Sequence, residues 1–352
     1  MVKLQLSKSE EERVDKITNE SIFIDGLCGN IINPEPPVRD GKTYLDRLLE
    51  SGITVQSITI ASPAASFDAI LKEIYSYYNL FNYYPDKVMQ INSIKDIEIA
   101  KKENKIGIIF NLQNAAAIGS DFHKWSILSK LGLRICQLTY NEPNIFGSGC
   151  MAEKDNGLSF YGKQAVREMN RQGIVIDLSH VGEQTSLEAI ELSKNPCIFS
   201  HSNARKVTPT TKRNITDEMI TSIVKKDGVV GLSSHAFLSH HTEGIQPTLS
   251  DYMEHFKYLL DLVGPDHISI GTDIYEYYTK FYWETKTKLL YDSPWYFETV
   301  FNRDLKRVDQ YKNIVRGLIQ LDLSDDAIHK ILGLNLMRVL GANERKEAIA
   351  SK

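Results

Sequence analysis

His180 and His201 are the residues whose type and spacing first point to chemistry. Each follows a short apolar run. Gly173 to Leu178 leads through Ser179 to His180, and Pro196 to Phe199 leads through Ser200 to His201 and Ser202. Between the runs lies one amphipathic helix, with Leu187, Ile190 and Leu192 spaced to face a sheet. A strand–helix–strand unit of this length is a βαβ crossover, and its strands are expected to be parallel. Both histidines then emerge at the carboxyl ends of neighbouring strands, the edge where α/β folds place their chemistry. Imidazole is a common ligand of zinc-like metals, and two that converge point to a metal site. The alternative is that each histidine caps its strand by hydrogen bonding. Matching positions on adjacent strands favour a functional pair.

The elements that must position this pair are read from hydrophobic pattern. Residues 9 to 20 form a charged surface helix, and Ser21 to Gly26 a first strand. Strands follow at Ile53 to Ile60, Ile106 to Leu112, Leu133 to Thr139, Gly173 to Leu178, Pro196 to Phe199, Gly228 to Ser233 and His267 to Thr272. Helices are expected over Lys42 to Ser51, Ser66 to Tyr84, Ser93 to Asn104, Asp121 to Leu131, Ser159 to Gln172, Thr216 to Lys226 and Leu249 to Val263. Two more lie through Tyr311 to Leu321 and near Asp325 to Leu340. Eight short apolar strands, most followed by a helix, are the signature of a (β/α)₈ barrel. We expect residues 1–352 to form one such domain, with an N-terminal helix and a C-terminal helical extension. An open doubly wound sheet is the alternative, but no GxGxxG follows the first strand.

The totals agree with an ordinary globular protein. The chain has 352 residues, 42% of them apolar and 24% charged, with net charge −4. No global field favours nucleic acid or an anionic membrane. The start lacks an apolar core of the secretory kind, and no window is apolar for long enough to span a bilayer. Cys28, Cys136, Cys150 and Cys197 are scattered without a CxxC. They read as reduced thiols of a cytoplasmic protein.

In a barrel the active site is the set of polar residues just after each strand. Here those are Cys28 and Gly29, Gln113 and Asn114, Tyr140 and Asn141, His180, His201, His235 and Asp273. Lys212, Arg213 and Asn214 add to them from the loop after the sixth strand. The long polar loop Tyr140 to Gly157 carries Glu142 and Asn144 and could act as a lid. His240, His241 and Glu243 read as solvated. His123, His255, His267 and His329 read as structural. The aromatic stretches Tyr75 to Tyr84 and Tyr275 to Trp283 could line a substrate mouth, though such stripes more often bury against a neighbour or a subunit; the second, directly after Asp273, is equally able to touch a ligand.

The block GLSFYGKQAVREMNRQGIVIDLSH at 157–180, then PCIFSHS at 196–202, KRN at 212–214 and GTD at 271–273, resembles the membrane dipeptidase family, also called renal dipeptidase or peptidase M19. The similarity runs from about Phe23 to the last helix. The resemblance implies a (β/α)₈ metallohydrolase of the amidohydrolase type that cleaves dipeptides with two zinc ions and forms a homodimer. By position, it makes His180 and His201 ligands of one zinc and Asp273 the acid that handles protons. It makes Arg213 the partner of the substrate carboxylate. These roles are chemically coherent, because zinc acidifies water, a carboxylate shuttles protons and guanidinium grips carboxylate.

The departures matter as much. The family's first strand ends in IDGHxD, whose His and Asp bind the other zinc; here Leu27 and Gly29 stand there. Gln113 replaces the bridging glutamate, and Tyr140 replaces a substrate-polarising histidine. A two-zinc centre is therefore not expected. Cys28 could serve as a replacement thiolate or as an apolar filler. Three readings remain. One is a single zinc ion on His180 and His201, helped by Gln113, Asp273 or His235. Another is a metal-free reaction by Asp273, Tyr140 and His235. The third is an inactive protein that binds a small carboxylate ligand. The first leads, with Asp273 and Tyr140 catalytic and Arg213, Asn141 and His235 around a dipeptide or small amide. No nucleic-acid or membrane partner is expected.

Overall fold

The computed structural model describes residues 2–29, 41–239, 245–276 and 299–345. The strands are β1 (Ile24–Cys28), β2 (Val55–Thr59), β3 (Val88–Gln90), β4 (Ile106–Leu112) and β5 (Leu133–Gln137). They continue with β6 (Val175–Asp177), β7 (Ile198–Phe199), β8 (Val229–Leu232) and β9 (Ile268–Ile270). All pairings between them are parallel, in the order β2-β1-β9-β8-β7-β6-β5-β4. A pairing of β2 with β4 closes the ring into an eight-stranded barrel. The fold is a (β/α)₈ TIM barrel, as the alternation of elements led us to expect. The open-sheet alternative is excluded by that closure.

The sequence reading lacked β3. It pairs Val88–Gln90 with the start of β4, below the point where β5 joins at Phe110. Three residues give too short a pattern to stand out. Most helices begin at a side-chain cap the sequence displays: Ser7, Thr43, Ser66, Ser93, Ser159, Thr216 and Ser324 each accept a bond from the first turn.

Side chains alternate in and out along each strand, which sorts the barrel interior into layers. At the bottom, Ile24, Val55, Ile109, Ile135, Val175, Ile198 and Val229 pack in one cluster with Leu336, Val339 and Leu340 of the helix Asn335–Asn343. Residues from strands all round the ring meet only inside it, so this layer is the apolar plug. Two residues further along each strand the interior turns polar. Asn111 donates to Ser57 Oγ (3.2 Å), and Gln137 donates to Asp177 Oδ2 (2.8 Å). The candidate site stands on this polar layer. Among the described residues no helix is long and apolar enough to cross a membrane.

Candidate functional site

His180 and His201 converge. Their Nε2 atoms lie 3.0 Å apart, and both side chains are buried. Each ring is held from behind through its other nitrogen. His180 Nδ1 donates to Asn141 Oδ1 (2.7 Å), the end of the β5 strand holding the end of β6. His201 Nδ1 faces Ser200 Oγ at 2.6 Å. The Ser200 hydroxyl donates its one proton to Asp177 Oδ2 (2.5 Å), so its lone pair accepts from His201 Nδ1. Asp177 is an acceptor on all sides: the Ser179 and Ser200 amides reach Oδ1 at 3.0 Å each, and Gln137 reaches Oδ2. Its burial raises its pKa, and these four donors act against that rise.

These partners assign the tautomers. Both imidazoles carry their proton on Nδ1, so both present an Nε2 lone pair to the same point. Two such lone pairs at 3.0 Å repel unless a cation lies between them. Burial first, then the neighbouring Arg213 charge, hold both histidines well below the usual imidazole pKa, which disfavours a proton as that cation.

The pair also fits a metal by size. Zinc bound at about 2.0–2.1 Å to two nitrogens in tetrahedral geometry separates them by about 3.3 Å, a few tenths of an ångström more than here. The Nδ1 hydrogen bonds are the outer support such ligands ordinarily have. A second ion does not fit, since Leu27 and Gly29 offer no donor atom. Leu27 and Cys28 are buried in the barrel wall, and burial pushes the Cys28 thiol well above its ordinary pKa. Without a metal, Cys28 is therefore a neutral thiol packed among apolar neighbours. No three His, Cys, Asp or Glu side chains among the described residues gather closely enough to hold a metal.

The other expected residues surround the pair. The Tyr140 ring stacks on His180 with centroids 4.1 Å apart. Arg213 is buried, donating from Nη1 to Ser202 Oγ (2.7 Å) and from Nη2 to the His201 carbonyl (2.6 Å). Its charge acts on His180, His201, His235 and Asp273 alike. Burial and that charge push His235 down to about 3, so it is neutral. Burial raises Asp273 to about 7, against the pull of Arg213. Gln113 is buried and directly follows β4.

The Asn141 side-chain carbonyl orients His180, and its buried Nδ2 has no partner among the described residues. Asn141, His180 and Asp273 have φ of 58°, 66° and 59°, the left-handed region, at a cost of roughly 1–2 kcal/mol each. Asn104, Asp227 and Asp322, away from the site, share this conformation.

The loop after β5 is no lid. Asn144 donates to Asn114 Oδ1 (2.9 Å) and the Leu138 carbonyl (2.7 Å), Cys150 N to the His180 carbonyl (2.9 Å), and Gly182 N to the Ser148 carbonyl (2.9 Å). These bonds fix the loop to three strand ends. His255 and His329 are structural, the first accepting from Ala204 N and the second bonded to Ser21. Tyr77 is buried against Phe81 and Phe110, whereas Tyr75 and Tyr83 of the same stretch are exposed. His240, His241, Glu243 and most of the stretch Tyr275 to Trp283 lie outside the described residues. Ser200, Asp177 and Gln137 were not singled out. The serine beside each histidine was the available signal.

The chain is 25% identical over 322 residues to Dipeptidase tcpJ of Claviceps purpurea, covering 86% of this chain and 70% of that protein. It is 24% identical to Dipeptidase aclJ of Aspergillus oryzae, of which it spans 58%. An amidohydrolase from Pseudomonas aeruginosa superposes with TM-score 0.84 at 31% identity, covering 94% of this chain and 98% of that one. A metallopeptidase from Rhodobacter sphaeroides, solved with a phosphinate mimic of the dipeptide L-Ala-D-Ala, shares the fold at TM-score 0.76 and 20% identity, covering 92% of this chain and all of that one. The sequence model of the membrane dipeptidase family (peptidase family M19) matches residues 11–280, and the chain belongs to that family.

Proposed function

We propose that this protein hydrolyses the amide bond of a dipeptide, or of a related small amide with a free carboxylate, using one zinc-like ion held by His180 and His201. The observation that carries the reading is the pair of Nε2 lone pairs turned on one point 3.0 Å apart. The dipeptidases and the amidohydrolase among its relatives support the reaction class. Such an ion supplies Lewis-acid chemistry, acidifying water and polarising a carbonyl.

The chain's own residues do the rest. Asp273, with its pKa near 7, takes a proton from the attacking water and returns it to the leaving amine. Arg213 pairs with the substrate carboxylate, where a fixed guanidinium gives two parallel bonds. The Tyr140 phenol donates to the oxygen that gains charge. His235, held neutral, lines the site without adding charge.

Asp273→Asn separates this reading from that of an inactive protein binding a small carboxylate. Hydrolysis predicts a loss of roughly 10²–10⁴ in kcat, the usual worth of a positioned acid–base group. Ligand binding alone predicts no turnover in the parent protein and an affinity that the substitution leaves largely intact.

A further inference from the structure

Arg213 is buried, and among the described residues no carboxylate forms an ion pair with it. Its guanidinium rests on the His201 carbonyl, so an anion held there lies within one residue's breadth of the histidine pair. Its backbone has a separate support. The loop 203–215 is closed at its base by Arg205 N donating to the Ile215 carbonyl (2.8 Å) and Ile215 N to the Asn203 carbonyl (2.9 Å). Farther out, Lys206, Pro209, Thr210 and Lys212 are exposed.

The Arg205 side chain reaches across this loop and holds the residues on both sides of Arg213. Its Nε donates to the Asn214 carbonyl (2.8 Å) and its Nη2 to the Lys212 carbonyl (3.1 Å). Its Nη1 donates to Glu183 Oε2 (3.0 Å). The other Glu183 oxygen accepts from Thr216 Oγ1 (2.8 Å), the cap of the helix Asp217–Lys225. Three bonds from one planar guanidinium fix its orientation, which a flexible ammonium would not do.

Glu183 opens the helix Glu183–Leu192, three positions after His180. The ion pair therefore joins the end of β6, which carries His180, to the loop after β7, which carries Arg213. The β6 side is the anchored one, since Asn141 holds the His180 ring and Cys150 N its carbonyl. The loop is the side that yields when the pair is removed. We propose that Arg205, braced by Glu183, is a positioning residue that fixes the span from the histidine pair to Arg213. By that span it selects substrates whose carboxylate sits on the carbon bonded to the leaving nitrogen. This rests on the hydrolase reading above and deepens it. A carboxylate one carbon farther out requires Arg213 to retreat, and the clamp resists that retreat. The Arg205 and Glu183 side chains are 27% and 38% exposed, and pairs so placed contribute little to stability, so variants at either position should fold.

The test compares Ala-Ala, Ala-β-Ala and Ala-Ala amide as substrates of the zinc-loaded parent protein, Arg205→Ala and Glu183→Ala. In parallel, calorimetry measures binding of phosphinate analogues of Ala-Ala and Ala-β-Ala to the same proteins. We expect the parent to prefer Ala-Ala over Ala-β-Ala by about tenfold or more, the scale of a hydrogen bond to a charged group. In both variants KM for Ala-Ala should rise about tenfold with kcat within about twofold, because the carboxylate is gripped in ground and transition states alike. The preference over Ala-β-Ala should fall toward one, in turnover and in binding. Turnover of the amide, which offers Arg213 no carboxylate, should change by less than about twofold. A parent without the preference, a ratio unchanged in both variants, or an equal loss on all three substrates overturns the clamp and leaves the hydrolase reading standing. A binding preference that collapses in the variants, with no turnover in the parent, keeps the clamp and sinks the hydrolase reading. No binding by either analogue sinks both.

Discussion

Two histidine rings at this site are each held through Nδ1 by a neighbouring side-chain oxygen. For His201 that neighbour is Ser200, whose own proton is committed to Asp177. Ser200→Ala removes the bond and leaves Nδ1 without its acceptor, so either tautomer becomes accessible. We expect zinc affinity, measured by competition with a chromophoric chelator, to fall about 10–100-fold, the usual loss for such a support. An unchanged affinity would mean that packing alone orients the ring. The histidines were legible because two like residues closed two like strands. The serine and aspartate were not, because their roles depend on the stagger of β5, β6 and β7, which no single strand's pattern displays.

Asp25 gives a pH-dependent prediction. It is fully buried, and desolvation raises its pKa to about 6 despite bonds from Thr272, Tyr311 (2.5 Å) and the Leu27 amide. The folded state therefore holds this proton more tightly than the unfolded chain. Stability must fall as pH rises from about 4 to about 6 and level off above, because the carboxylate is then ionised in both states. Asp25→Asn lacks this slope. Urea unfolding of both proteins at several pH values should show the difference shifting toward the variant across that window. A constant difference would contradict the shift.

At the scale of elements, the ends of β7, β8 and β9 approach closely. A Cβ on Gly271 would stand 1.7 Å from the Ser200 carbonyl oxygen, and one on Gly231 would stand 2.1 Å from it. Gly271→Ala must push back the backbone that carries His201, whose Cα would stand 3.2 Å from the new Cβ. Overpacking of this kind costs typically 1–3 kcal/mol, and we expect zinc affinity to fall along with the melting temperature. The segment after β9 is anchored separately. Arg47 of the helix Tyr44–Glu50 pairs with Glu276 through two bonds of 3.0 and 2.7 Å, with both side chains buried. Glu276 also accepts from Val308 N at 2.9 Å. Arg47→Ala strands that carboxylate and should cost about 3–5 kcal/mol, read by denaturant unfolding. A loss below about 1 kcal/mol would show that water replaces the guanidinium. The sequence hid this latch, since residues 47 and 276 belong to opposite ends of the chain. The helices were legible through their caps. The strands read longer than they are, because apolar residues continue past the last ladder bond. β6 keeps only Val175–Asp177 and β7 only Ile198–Phe199.

For the whole molecule, the alternation of strands and helices carried the barrel, and the barrel rule carried the site. Every residue proposed for chemistry lies just beyond a strand or in the loop after β7. What the alternation could not show is the layering inside the ring, apolar below and polar above. That layering turns Asp177 and Gln137 into a platform beneath the histidines. Nor could it show that Leu27 and Cys28 are fully buried. The central claim is that His180 and His201 hold one ion. Elemental analysis of protein purified without chelator, alongside His180→Ala, tests that claim most directly. The account predicts one zinc-like ion per chain, lost in the variant. Two ions per chain, or none in the parent protein, would contradict it.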